Sequence, residues 1–146
     1  MKIRILFILI LSVNCLIFSQ LPCPLKSGTF ILLKPKPNFR PYEHPDETRD
    51  RISAENSQVI SISNGKVVKI IKSDSDYSLI LKNDMENFFI YSNLSKTELK
   101  VNDTIEKDQL LGLANYDEYY ASYIMDFQFW KKDQSIKVDL KCIKPD

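Results

Sequence analysis

After Gln58 the chain alternates apolar and polar residues with a period of two, the spacing that puts apolar side chains on one face of a strand. The pattern centres on residues 98–114 (ELKVNDTIEKDQLLGLA). There Leu99 and Val101 alternate with lysine, Asn102-Asp103 turns the chain, and Leu110-Leu111 runs to Gly112. Asn and Asp tolerate the backbone of tight turns, so this stretch predicts a hairpin. Upstream, Val59, Ile60 and Ile62 lead to Asn64-Gly65, a strong hairpin signal, and residues 66–72 (KVVKIIK) follow. A Ser-Asp-Ser-Asp turn at 73–76 introduces a strand at 77–81, and Asn83-Asp84 turns into residues 87–91 (NFFIY). Residues 115–118 read as a polar turn, and residues 119–130 (YYASYIMDFQFW) as one long strand. A last alternating strand covers 136–142. Short β-branched and aromatic runs separated by Asn, Asp, Ser and Gly describe an all-β, antiparallel domain. No segment carries a sustained helical period.

The long strand has two distinct faces. Tyr123, Met125, Phe127 and Phe129 point one way and form core; Ile124, Asp126, Gln128 and Trp130 point the other. An acid between an isoleucine and a glutamine suits the floor of a cleft, or an ordinary solvated face. Ahead of these strands the pattern is different. Residues 20–26 form a proline-bearing lead-in, and 29–33 a short apolar run that suits a first strand after Gly28. A long irregular region at 34–57 then carries Pro35, Pro37, Pro41 and Pro45, a density that forbids a helix and a central strand alike. It holds the single histidine, His44, and a charged cluster from Asp46 to Arg51.

The chain's 146 residues support one domain. Lys2 and Arg4 followed by apolar residues to Phe18 read as a secretory signal peptide cut near Ser19. The apolar run is short of the roughly 20 residues that a spanning helix needs, and lipidation at Cys15 is disfavoured by Asn14. The organisation is then a signal at 1–19, the lead-in and loop at 20–57, the β domain at 58–142 and a tail at 143–146. Without the signal the net charge is near neutral, which argues against nucleic acid and against a polybasic membrane contact. Two cysteines remain, Cys23 and Cys142, and in an oxidising compartment such a pair forms a disulfide. A bridge closing about 100 residues stabilises by roughly 4–5 kcal/mol on the chain-entropy model.

Several blocks together resemble the M23 (LytM-type) zinc peptidases that cut peptidoglycan cross-bridges. Residues 59–68 (VISISNGKVV) look like the family's strand and Gly-Lys-Val turn. Residues 90–95 (IYSNLS) resemble its Tyr-Ala-His-Leu-Ser segment, and 101–113 (VNDTIEKDQLLGL) its Val-Gly-Asp hairpin. Residues 124–127 (IMDF) fall where the family has His-x-His-Phe. The resemblance implies a β-sandwich/barrel-sandwich hybrid, the duplicated hybrid motif, and an active site in which zinc keeps three protein ligands and one open position. On the family's spacing Asp50 stands at the metal aspartate and Asp46 at the first histidine. Asn93 replaces the next histidine, and Ile124 and Asp126 replace the pair in His-x-His. His44 stands two residues too far from Asp50, and one imidazole does not rebuild the site. Asp46, Asp50 and Asp126 suit a hard cation better than zinc.

The resemblance therefore implies a secreted or periplasmic domain of the bacterial cell envelope without the family's catalysis and without zinc. Its partner would be peptidoglycan or a cell-wall hydrolase. Cleft residues would be Asn93, Asp126, Gln128 and Trp130, with Tyr116, Tyr119 and Tyr120 beside them as candidates for stacking on sugar rings. The alternative is a metal-dependent endopeptidase with non-standard ligands. A biotin or lipoyl carrier, whose hairpin is similar, is disfavoured because no Met-Lys-Met-like tip is present.

Overall fold

The computed structural model describes residues 20–31 and 48–145. The expected signal peptide, His44 and Asp46 lie outside the described residues. Within them are ten strands and no helix: β1 (Thr29–Phe30), β2 (Asp50–Ala54), β3 (Gln58–Ile60), β4 (Gly65–Lys72), β5 (Tyr77–Lys82), β6 (Asn87–Lys96), β7 (Thr104–Ile105), β8 (Leu110–Asp117), β9 (Ser122–Lys131) and β10 (Gln134–Ile136). All pair antiparallel, in the order β1-β2-β9-β8-β6-β5-β4-β7, with β3 on β8, β10 on β9 and a further pairing of β6 with β9. Strand β9 is the hub, since β2, β6, β8 and β10 all bond to it.

Period-two alternation builds the core as expected. Ile52, Val59, Val67, Leu79, Leu81, Tyr91, Met125 and Phe127 turn inward from their strands and are fully or almost fully buried. Leu25 joins them from the lead-in, which docks through Ile60 N donating to Pro24 O at 2.8 Å. Cys23 and Cys142 are disulfide-bonded, Cα–Cα 4.9 Å, and so tie the first and last described segments together. The loop they close spans 119 residues of sequence, and its closure stabilises by roughly 4–5 kcal/mol. Backbone bridges Leu21↔Leu140 and Thr29↔Ile143 run beside it.

Five local expectations are corrected. The stretch 98–114 does not fold back on itself. Asn102, at φ 78°, makes the turn, but β7 pairs with β4, and Asn102 N and Asp103 O bond the backbone of Val67. Nor is Asn64-Gly65 a hairpin turn, because β3 bonds β8 while β4 bonds β5 and β7. Gly65 is needed instead for close approach, as a Cβ there would sit 2.7 Å from Lys82 O. The polar turn falls at 118–121, not 115–118. Asp117 Oδ1 accepts from Tyr119 N (2.9 Å) and Tyr120 N (3.2 Å), and Ala121 closes the turn at φ 48°. The regular strand at the C-terminal end is β10, and 137–142 continues as coil with a bridge at Leu140. The long irregular region also ends earlier than its composition suggested, since β2 begins at Asp50.

Candidate functional site

Strand β2 brings the end of the charged cluster onto the hub strand. Its register sets Asp50 opposite Phe127 and Arg51 opposite Asp126, and residues directly across a ladder share a face. Asp50 therefore turns to the core side with Ile52, where it is buried and its carboxylate accepts from Lys137 Nζ. Arg51 and Asp126 lie on the outer face. There Arg51 Nε donates to Asp126 Oδ1 at 2.8 Å and Nη2 to Oδ2 at 2.9 Å. The Asp126 side chain is only 9% exposed, that of Arg51 34%. A carboxylate taken this far from water requires a charged or hydrogen-bonding partner, and the bidentate fork supplies both. Hydrogen bonding to Asp126 in turn holds the Arg51 guanidinium above its ordinary pKa.

The polar row continues across the sheet. Ser92 lies opposite Asp126 on β6, and Ser78 Oγ donates to Ser92 Oγ at 3.0 Å. One residue on, Asn93 adopts φ 62° and its Nδ2 donates to Ile124 O at 2.7 Å. Asn is among the few residues that take this left-handed conformation readily. Asn115 Nδ2 donates to Asn93 Oδ1 at 3.1 Å, so the Asn93 amide joins β6, β8 and β9. Ile124 is buried. Gln128 and Trp130 lie opposite Ile90 and Phe88, both half-buried, and the buried Trp130 Nε1 has no hydrogen-bond acceptor among the described residues. Tyr116, Tyr119 and Tyr120 are exposed around the β8–β9 turn. Tyr119 stacks edge-on against Tyr120 at 4.9 Å, and Tyr116 against Tyr123 at 5.3 Å.

Of the expected site residues, the fold joins Asn93 to Ile124 and sets Asp126 beside them on the hub strand. It does not bring Asp50 to Asp126, since the two carboxylates face opposite sides of the sheet. Two open cavities of the described residues lie elsewhere. One of about 460 Å³ is lined by Lys26, Thr29, Ser53, Glu55, Asn56 and Ser122 among others, and one of about 560 Å³ lies along Asn64, Lys66, Lys82 and Lys107. Neither is lined by Asn93, Asp126, Gln128 or Trp130. Arg51 and Asn115 had no place among the expected site residues. Arg51 was hidden in a run of charges, and only its register against Asp126 gives it meaning. Pairing Asp50 with the Phe that follows the His-x-His position would have located it.

These donors do not make a zinc set. Asp126 is committed on both oxygens to a guanidinium, Asp50 is engaged by Lys137 across the sheet, and Asn93 uses its amide nitrogen on a carbonyl. Among the described residues no three His, Cys, Asp or Glu side chains converge. Zinc needs ligands whose lone pairs are free to face it.

Residues 48–138 match the family model of peptidase family M23. Solved structures of the same fold include a chain of the SpoIIIAH–SpoIIQ complex (12% identity, covering 81% of this chain and 96% of that one, TM-score 0.64). Another is a catalytic-domain mutant of the prophage-encoded M23 protein EnpA from Enterococcus faecalis (16%, 80% and 93%, TM-score 0.59). Lysostaphin from Staphylococcus simulans, an antimicrobial peptidase, matches at 20% identity over 68% of this chain and 45% of its own, TM-score 0.55. This chain thus spans less than half of lysostaphin's length. No curated protein matches it.

Proposed function

The chain belongs to peptidase family M23, and from that premise we propose that it is a non-catalytic member, exported to the bacterial cell envelope, that binds peptidoglycan or regulates a cell-wall hydrolase. The observation that carries the reading is the Arg51–Asp126 pair. At the position where the family places a zinc-binding imidazole, this chain has a carboxylate saturated by its own cation. Metal-assisted hydrolysis depends on an open coordination position and a bound water of lowered pKa. A guanidinium offers neither. What remains is a polar outer face bordered by exposed tyrosines, suited to holding a polymer rather than cutting it. A chain of this fold occurs in the SpoIIIAH–SpoIIQ complex, which supports a protein partner as the regulatory form of the same reading.

The test pairs sedimentation with turnover. The mature protein is mixed with purified sacculi, with and without added zinc, and both the pellet and the soluble fragments are analysed. Co-sedimentation without release of wall fragments is expected. Stoichiometric zinc together with fragment release would establish the metal-dependent endopeptidase instead.

A further inference from the structure

Arg51 offers more hydrogen-bond donors than Asp126 uses. A guanidinium carries five N–H groups in a planar fork. Nε and Nη2 each give one to the carboxylate. Among the described residues, the two on Nη1 and the second on Nη2 have no acceptor. Asp126 grips the side-on edge and is itself almost buried, while the Arg51 side chain stays one-third exposed, so the far edge is the part of the fork left for an outside partner. Arg51 also lies within electrostatic reach of Tyr120 and Asp117. On the same side of β2, two residues along, Ser53 opens the 460 Å³ cavity that Thr29, Asn56 and Ser122 also line.

We propose that Arg51, held from behind by Asp126, is a receptor for the terminal carboxylate of a peptide, whose preceding residues run towards the cavity at Ser53. The proposal rests on the reading that this face binds wall material, and gives that material a chemistry: a free peptide end. The outward N–H pair matches a planar carboxylate bidentately. A phosphate dianion fits less well, since Asp117 and Asp126 both repel a second negative charge. Asp117 already spends one oxygen on the Tyr119 and Tyr120 amides, so its remaining effect on a monoanion is a weak, screened repulsion.

An N-acetylated dipeptide with a free carboxylate and the same dipeptide as its amide are titrated into the full protein by calorimetry. The acid is expected to bind at least about tenfold tighter, the worth of one charge-assisted bidentate contact in a partly exposed site. Equal affinities, or no binding of either, overturn the proposal. Arg51→Lys, with folding checked by Trp130 fluorescence, keeps the charge but loses the fork and is expected to abolish the preference. A retained preference would place the receptor elsewhere. Asp117→Asn, which preserves the accepting oxygen, should tighten the acid about twofold and leave the amide unchanged; a weakened acid counts against Arg51 as its anchor. Sacculus binding is scored separately. Binding to sacculi without acid preference removes this proposal and leaves the wall-binding reading standing. Acid preference without sacculus binding does the reverse.

Discussion

The two faces of β9 are held in different ways, although their residues alternate one by one. Inward, Met125 and Phe127 are wholly buried, and rings interlock across the ladder. Tyr91 meets Phe127 edge-on at 5.4 Å and Phe89 meets Phe129 at 5.2 Å. Outward, Ile124 and Asp126 are almost as buried, yet their contacts are directional: an ion pair with β2 at Asp126 and a hydrogen bond from the Asn93 amide of β6 to the Ile124 carbonyl. Area and shape hold the first face; partners hold the second. An apolar contact survives a change of neighbour of similar volume, whereas a buried charge does not survive loss of its partner.

Phe127→Ala tests the inner face most severely. Truncating a fully buried aromatic leaves a cavity and is expected to cost about 4 kcal/mol in urea unfolding followed by Trp130 fluorescence. That is a large share of the roughly 5–15 kcal/mol of a typical domain. A loss under about 1.5 kcal/mol would mean that the inner face collapses around the gap and is less tightly packed than its rings imply.

Arg51→Gln is the matching test outside. It strands a carboxylate that is 9% exposed, but the arginine itself is one-third exposed and water screens part of the loss, so about 2 kcal/mol is expected. The pairing of Arg51→Met with Asp126→Leu sharpens the comparison, because replacing both charges by apolar groups should return stability to within about 1 kcal/mol of the parent. A double variant as unstable as the single would show that the outer face depends on this geometry as strictly as the inner face depends on its packing.

Tyr91 belongs to both styles at once. Its ring is fully buried in the core, and its hydroxyl accepts from Ile62 N at 3.1 Å. Tyr91→Phe keeps the ring but leaves that N–H without a partner, at a cost of about 1.5 kcal/mol. Burial also pushes the phenol up to about 12. The folded pKa lies above the unfolded one, near 10, so this group's contribution is complete below pH ~10 and is lost as pH rises towards 12. Alkaline melts should show that decline in the parent and lack its Tyr91 component in the variant. Identical alkaline profiles would place the hydroxyl in contact with water.

What was legible in the sequence follows the same division. The β4–β5 and β5–β6 hairpins were, because residues 73–76 and Asn83-Asp84 close them locally. The inner face of β9 was too, since alternation sorts its residues without reference to any neighbour. Cys23 and Cys142 were matched by elimination and compartment. Pairings between distant strands were not: period two says which way a side chain points and never which strand lies alongside. Thus Asn64-Gly65 looked like a hairpin turn, and β7 was assigned to β8 rather than to β4. Strand β2, entered from a proline-rich stretch and dense in charge, becomes a strand through its ladder with β9, 75 residues of sequence away at the Arg51–Asp126 pair. The site was legible only in its β9 and β6 members, because its cation comes from that distant strand.

Asn93→Gly gives the smallest effect, and its comparison with Asn93→Ala the finest separation. The left-handed backbone of Asn93 and its amide both tie β6 to the outer face, the first by conformation and the second through Ile124 O. Asn93→Gly keeps the backbone accessible and removes the amide, so it should cost about 1 kcal/mol, chiefly the hydrogen bond to Ile124 O, since Asn115 Nδ2 loses Asn93 Oδ1 but keeps Ser75 O. Asn93→Ala removes the amide and adds the strain of a Cβ at φ 62°, a further ~1 kcal/mol. Equal losses in the two variants would show that the backbone at this point of β6 relaxes when the amide is gone. The conformation at Asn93 would then follow from the hydrogen bond, and the outer face would be directional in its side chains alone. The expected gap of about 1 kcal/mol, read from paired thermal melts, instead makes backbone and side chain independent supports of that face.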